Sequence, residues 1–209
     1  MINVVIADDH SIVRRGFRQI IEETHDLRVV GEAADGQALL GWLRQGSCDI
    51  VVLDLSMPGQ NGIELLEELR ALYPGLQVLV MSMHAEDQYA VRVLKAGASG
   101  YMSKEHAAEL LAPALRKIAS GGRYVSDTLA EMLAFNLGGD SNQAPHETLS
   151  NREFQVLVML AQGKSASAIA ADLMISVKTV STYRSRILEK LGLASNAEMV
   201  RYALEKNLI

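Results

Sequence analysis

The chain has 209 residues, 49% hydrophobic and 22% charged, a balance that fits one or two folded domains and excludes a disordered or collagen-like chain. Its apolar runs stop far short of the roughly 20 residues needed to cross a bilayer, and Met1 to Ala7 leads into Asp8 and Asp9 with no basic start or cleavage site. No membrane partner is therefore expected, and the chain reads as cytoplasmic. Charge divides along the chain: residues 1–147 carry 12 Lys and Arg against 20 Asp and Glu, net −8, whereas residues 148–209 carry 8 against 5, net +3. A polyanionic partner is thus expected only at the C-terminal end.

From the N-terminus, short β-rich apolar runs alternate with helical periodicity, the pattern of successive βαβ units on a parallel sheet. Five rounds are visible, with strands predicted at Asn3 to Ala7, Arg28 to Glu32, Ile50 to Leu55, Gln77 to Met81 and Gly100 to Met102. Ile12 to Glu23 and Gly62 to Tyr73 carry apolar residues three and four apart, as amphipathic helices do. Ile50, Val51, Val52 and Leu53 do not alternate, so this strand is expected to be central and covered on both faces. Cys48, the single cysteine, leads into it; it can form no internal disulfide and has no partners at zinc-ligand spacing. A helix over Ala107 to Ala119 ends at Gly121 and Gly122.

Beyond residue 120, a short helix is possible at Thr128 to Leu137, followed by the turn-rich stretch Gly138 to Pro145, so that 121–146 reads as a linker. From 147 to 209 there are no strand signals. Four helical patterns follow, broken at Gly163 to Ser167, near Ile175 and Ser176, and at Gly192 to Ser195. Ser150 with Glu153 forms a candidate capping box; Ser165 or Ser167 can start the second helix and Ser176 caps the third. The second and third are separated by a turn short enough for a helix-turn-helix.

In a parallel α/β sheet, ligands bind outside the carboxyl ends of the strands, where strand order reverses. The predicted strands put Asp8 and Asp9, Asp54, Ser82 and Lys104 there. Three carboxylates in one crevice repel unless a cation joins them, and Mg²⁺, a hard cation that keeps some waters, suits an oxygen donor set open to a phosphoryl group. Asp54 would then be the nucleophile that becomes an acyl phosphate, Asp9 a direct metal ligand, Asp8 a ligand through water, Ser82 a donor to the phosphoryl oxygen and Lys104 its counter-charge. Singly, each residue has a plainer role in a solvated turn or at a strand end; their joint placement is what points to chemistry.

The segments Asp8-Asp9-His10, Val52-Leu53-Asp54-Leu55-Ser56-Met57-Pro58-Gly59, Ser82 and Gly100-Tyr101-Met102-Ser103-Lys104 resemble the receiver domain of bacterial two-component response regulators, over residues 1–120. The resemblance implies a flavodoxin-like, doubly wound (βα)5 fold in which a sensor histidine kinase passes a phosphoryl group to Asp54. It further implies that the backbone carbonyl of Ser56 completes the metal site, and that Ser82 and Tyr101 form a switch pair whose ring turns inward on phosphorylation. Many receivers carry Pro after the lysine; here Glu105 stands in that place.

On the third helix of the C-terminal segment, Val177, Val180, Ile187 and Leu191 form an apolar stripe expected to face the domain core. Lys178, Ser181, Thr182 and Ser185 lie opposite, flanked by Thr179, Tyr183, Arg186 and Lys190. Short polar side chains can approach base edges in a major groove while basic ones hold phosphates; a solvated helix surface is the plain alternative. Leu149-Ser150-Asn151-Arg152-Glu153, Ile169-Ala170, Ile175 to Val180 and Lys190-Leu191-Gly192 resemble the LuxR-type helix-turn-helix of the NarL/FixJ response regulators, an all-α four-helix unit, with Tyr183 where His is common. The resemblance implies double-stranded DNA and RNA polymerase as partners. It also implies a homodimer on phosphorylation through Met199, Val200 and Ala203, which with Leu204 form an apolar face that core burial would explain as well, with half-sites about one helical turn apart.

The reading is a phosphorylation-controlled transcription regulator, with self-catalysed phosphotransfer and autodephosphorylation rather than turnover of outside substrates. Two competitors differ in class. A Mg²⁺-dependent phosphatase would need a positioned acid or base, for which Ser56 and His84 are nearest. A regulator with a passive receiver would be indifferent to Asp54.

Overall fold

The computed structural model describes residues 1–57, 61–82, 86–131, 144–206 and 208–209, and the chain divides into two units, Met1–Phe135 and Asn136–Ile209. Pro58, Gly59, His84 and most of the expected linker at 138–143 lie outside the described residues.

The first unit alternates β1 (Ile2–Ala7), α1 (Ser11–Glu22), β2 (Leu27–Ala33), α2 (Gly36–Leu43), β3 (Ile50–Asp54), α3 (Gly62–Leu72), β4 (Gln77–Ser82), α4 (Glu86–Lys95), β5 (Gly100–Ser103) and α5 (Ala107–Ala119). All neighbouring strands are parallel and their order is β2-β1-β3-β4-β5, the doubly wound arrangement expected from the sequence. The order reverses beside β1 and β3, which opens a crevice at their carboxyl ends. On one face Val4, Ile6, Ile50, Val52, Leu79 and Met81 pack with Phe17 and Ile21 of α1 and Leu111, Leu115 and Ile118 of α5. Their strand neighbours Val5, Val51, Leu53, Val78 and Val80 are equally buried, because α2, α3 and α4 cover the other face, so β3 shows no alternation.

The chain beyond α5 does not leave the sheet at once. Tyr124 N–H donates to Ser99 O (3.0 Å) and Tyr124 O accepts from Tyr101 N–H (3.1 Å), lining the outer edge of β5. Gly100 permits this approach, since a Cβ there would stand 2.7 Å from Tyr124 O. A short helix, α6, covers residues 127–131 and buries Leu129. The expected linker therefore begins as part of the first unit, where its backbone satisfies strand-edge groups. The helix expected over Thr128 to Leu137 is seen at 127–131, and its remainder lies outside the described residues.

The second unit opens with a 3₁₀ turn at Pro145–Thr148 and continues as α7 (Asn151–Ala161), α8 (Ala166–Asp172), α9 (Val177–Leu191) and α10 (Asn196–Glu205). Every one of these α-helices starts on a serine: Ser150, Ser165, Ser176 and Ser195 each accept from the backbone N–H three residues on. Phe154, Leu157, Ile169, Val180, Ile187, Met199 and Ala203 fill the core. The α8–α9 turn carries Met174 in the left-handed region (φ 53°), the one non-glycine residue with positive φ among the described residues.

Candidate functional site

Asp8 follows β1 and stays tied to the sheet through its N–H to Ala33 O (3.1 Å). Asp54 is the last residue of β3, and both are 1% exposed. Lys104, one residue past β5, donates to Asp8 Oδ2 (2.6 Å) and stands 2.8 Å from Asp54 Oδ2 as an ion pair. Asp54 Oδ1 accepts from Ser56 N–H (3.1 Å). Ser82 closes β4 with no exposed surface, and Tyr101 on β5 is likewise wholly buried. Burial raises the Asp54 pKa, Asp8 adds to the rise, and Lys104 opposes both. For Lys104 the balance is reversed: burial alone would lower its pKa, but Asp54 and Asp8 outweigh it and raise it.

The acidic set tests well against a hard cation. Asp8, Asp9, His10 and Asp54 each offer a ligand atom within 4.8 Å of the others. Asp9 Oδ1 and Asp54 Oδ2 are buried oxygens whose neighbours are His10 Nδ1 (2.9 Å) and Lys104 Nζ (2.8 Å), so each keeps lone pairs for a further cation. Such oxygens are costly alone and are satisfied by a cation.

Several residues support the site in roles that the sequence did not assign to them. Arg14 Nη1 donates to Asp8 O (2.6 Å) while its Nε reaches Glu32 (3.2 Å), bracing the acidic loop. His10 N–H donates to Asp8 Oδ1 (2.8 Å), and its Nδ1 lies 2.9 Å from Asp9 Oδ1. Buried Asn61 caps α3 by accepting from Ile63 N–H (2.8 Å). Gly62 lets that helix start press on the residue after Asp54, since a Cβ there would lie 2.6 Å from Leu55 Cα. The Asn-Gly pair before an apolar helical run was the available signal. Where many receivers have proline, Glu105 gives its N–H to Ser103 Oγ (3.4 Å), a bond proline could not make.

On α9, Lys178, Ser181, Thr182, Ser185 and Arg186 are exposed, and Thr179 and Tyr183 half-buried. Ser176 caps the helix through Thr179 N–H (3.0 Å). Two side chains stand elsewhere than expected. Val177 is 46% exposed: as the first residue of α9 it projects past the helices that bury Val180 and Ile187. Lys190 Nζ pairs with Glu153 Oε2 (2.7 Å), the buried carboxylate of the α7 capping box, and so is turned toward its own domain. On α10, Met199 and Ala203 are 1% and 0% exposed. They serve the domain core, so a dimer face cannot include them in this conformation; half-buried Val200 and exposed Arg201 and Leu204 remain on the surface.

Residues 4–116 match the response regulator receiver domain, and residues 147–203 match the bacterial regulatory proteins of the luxR family. The chain is a response regulator. It is 34% identical to the response regulator UvrY of Escherichia coli (strain K12) over 209 residues, which cover all of this chain and 96% of UvrY. It is 35% identical to the response regulator GacA of Pseudomonas aeruginosa over 210 residues, covering 100% of this chain and 98% of GacA. Among solved structures it is similar to RcsB from Salmonella enterica serovar Typhimurium bound to promoter P1flhDC in the presence of phosphomimetic BeF3⁻. That likeness has a TM-score of 0.70 at 31% identity, covering 96% of this chain and 97% of RcsB. This response regulator is therefore of the NarL/FixJ type, a receiver followed by a LuxR-type helix-turn-helix. No helix among its described residues is long and apolar enough to cross a membrane.

Proposed function

We propose that this response regulator accepts a phosphoryl group on Asp54 from a phosphohistidine of a sensor histidine kinase, and that the modification controls dimerisation and sequence-specific binding to double-stranded DNA. The observation that carries the reading is the convergence of Asp8, Asp54 and Lys104 within 2.8 Å contacts at the point where strand order reverses. Asp9 and Asp54 would hold Mg²⁺, with Ser56 through its carbonyl and Asp8 through water; bound there, the ion would neutralise phosphoryl oxygens. An Asp54 carboxylate oxygen attacks phosphorus, the P–N bond breaks, and its electron pair leaves with the imidazole nitrogen. Lys104 balances the charge gained by the new acyl phosphate, and Ser82 donates to one of its oxygens. Water later returns the carboxylate and frees phosphate by attack at the same phosphorus.

The domain limits that fit this division of labour are a receiver over 1–120, a connecting segment over 121–146 and a DNA-binding domain over 147–209. On DNA, Lys178 and Arg186 hold phosphates while Ser181, Thr182 and Ser185 meet bases, with Thr179 and Tyr183 at the flank. Lys190 is kept as a weaker phosphate contact, because Glu153 already neutralises it. The promoter complex of RcsB supports this use of the fold; RNA polymerase is the partner through which a bound dimer would act on transcription. The test is stoichiometric labelling by acetyl phosphate with Mg²⁺. Acid-labile phosphate should appear at about one per chain and vanish in Asp54→Asn; label that persists in the variant overturns the assignment. Steady turnover of phosphoesters would instead show a phosphatase.

A further inference from the structure

The outward stripe of α9 has an unusual polarity. Ser181 Oγ donates to Val177 O (3.1 Å), Thr182 Oγ1 to Lys178 O (3.0 Å) and Ser185 Oγ to Ser181 O (3.1 Å). Thr179 Oγ1 is likewise engaged with Ser176 Oγ (2.8 Å). A hydroxyl has one proton and two lone pairs; with the proton turned back into the helix, what faces outward is an acceptor. In the major groove the donors that answer acceptors are the amino groups of adenine and cytosine, whereas guanine shows only O6 and N7, themselves acceptors. Val177, one turn before Ser181 and on the same face, adds an exposed branched apolar group, whose natural counterpart is the thymine methyl. Adenine amino and thymine methyl sit on the same base pair.

Resting on the DNA-binding reading above, we infer that the Val177–Ser181–Ser185 stripe takes thymine at Val177 and an amino-bearing base, adenine or cytosine, at Ser181 and Ser185, and disfavours guanine at the positions it faces. Val177 thereby becomes a specificity residue, a role that its apolar character concealed in the sequence.

The experiment selects duplexes from a randomised 30-base-pair library with the full chain, phosphorylated by acetyl phosphate. It then measures binding to the selected duplex carrying uracil for thymine, purine for adenine or 2-pyrimidinone for cytosine, one position at a time. Removing a methyl or an amino group at a stripe-facing position should weaken the native protein, the methyl by about fourfold. Val177→Ala should stop distinguishing thymine from uracil at one position, and Ser181→Ala or Ser185→Ala should stop distinguishing adenine or cytosine from its amino-free analogue at another. If the positions sensitive to these three variants prove to be guanines, or if the analogues bind like the parent duplex, the inference is wrong while DNA binding stands. If no duplex is enriched, the DNA-binding reading itself fails.

Discussion

Asp54 is an acid whose burial disfavours its own charge, and Asp8 beside it deepens the cost. A folded pKa raised above the unfolded one means that ionised Asp54 destabilises the receiver at every pH above the usual carboxylate range. Asp54→Asn should therefore melt a few degrees higher than the native protein at pH 7, and the gain should shrink below about pH 4; an unchanged or lower melting temperature at pH 7 would mean that the Lys104 pairing outweighs burial. Cys48 shows the same physics, because burial pushes its thiol up to about 12, which makes it a poor nucleophile. Met174 carries a different cost. Its left-handed backbone disfavours any side chain, while its own side chain is 71% exposed and contributes little packing. Met174→Gly should stabilise the second unit by roughly 0.5–1 kcal/mol after the entropy of glycine is counted, read by chemical denaturation.

Two helices of the second unit are joined by one ion pair. Ser150 and Glu153 close the capping box of α7, with Ser150 N–H donating to Glu153 Oε2 (2.7 Å), and the same oxygen takes Lys190 from α9 (2.7 Å). Burial would raise the Glu153 pKa, but Lys190 and the Ser150 N–H lower it overall. A lowered folded pKa gives stability that is present above the usual glutamate range, about pH 4, and lost as pH falls through the folded value. Glu153→Gln should thus cost roughly 1–2 kcal/mol at pH 7 and flatten the acid limb of the unfolding curve. Lys190→Gln should do the same while changing the salt slope of DNA binding by less than the loss of about 0.9 expected for Arg186→Ala. Equal slope changes would return Lys190 to the phosphate contacts.

At the scale of the whole molecule, each unit buries a core of its own. Of the α10 residues expected at a dimer face, Val200 and Leu204 remain on the surface beside Arg201, since Met199 and Ala203 are committed inward. Sedimentation with and without acetyl phosphate should show a shift from monomer to dimer. Leu204→Glu should weaken that shift without disturbing the fold, because Leu204 is 56% exposed; a dimer unaffected by this change would place the contact elsewhere.

Period and punctuation in the sequence determine a great deal here. The alternation of β-rich runs with helical repeats, the serines before each C-terminal helix and the carboxylates at strand ends name the elements, the architecture and the acidic pocket, because these signals act over a few neighbouring residues. What the sequence cannot carry is which of two chemically suitable neighbours a side chain will choose. Val177 shares the apolar spacing of Val180 and Ile187, yet its place at the helix start leaves it in solvent. Lys190 shares the basic flank of Arg186, yet a buried carboxylate 37 residues away in the chain claims it. Met199 and Ala203 suit a partner's surface as well as a core. Only the tertiary structure decides such cases, because burial and pairing depend on which other elements arrive within a few ångströms, and that distance is set by the packing of the whole unit.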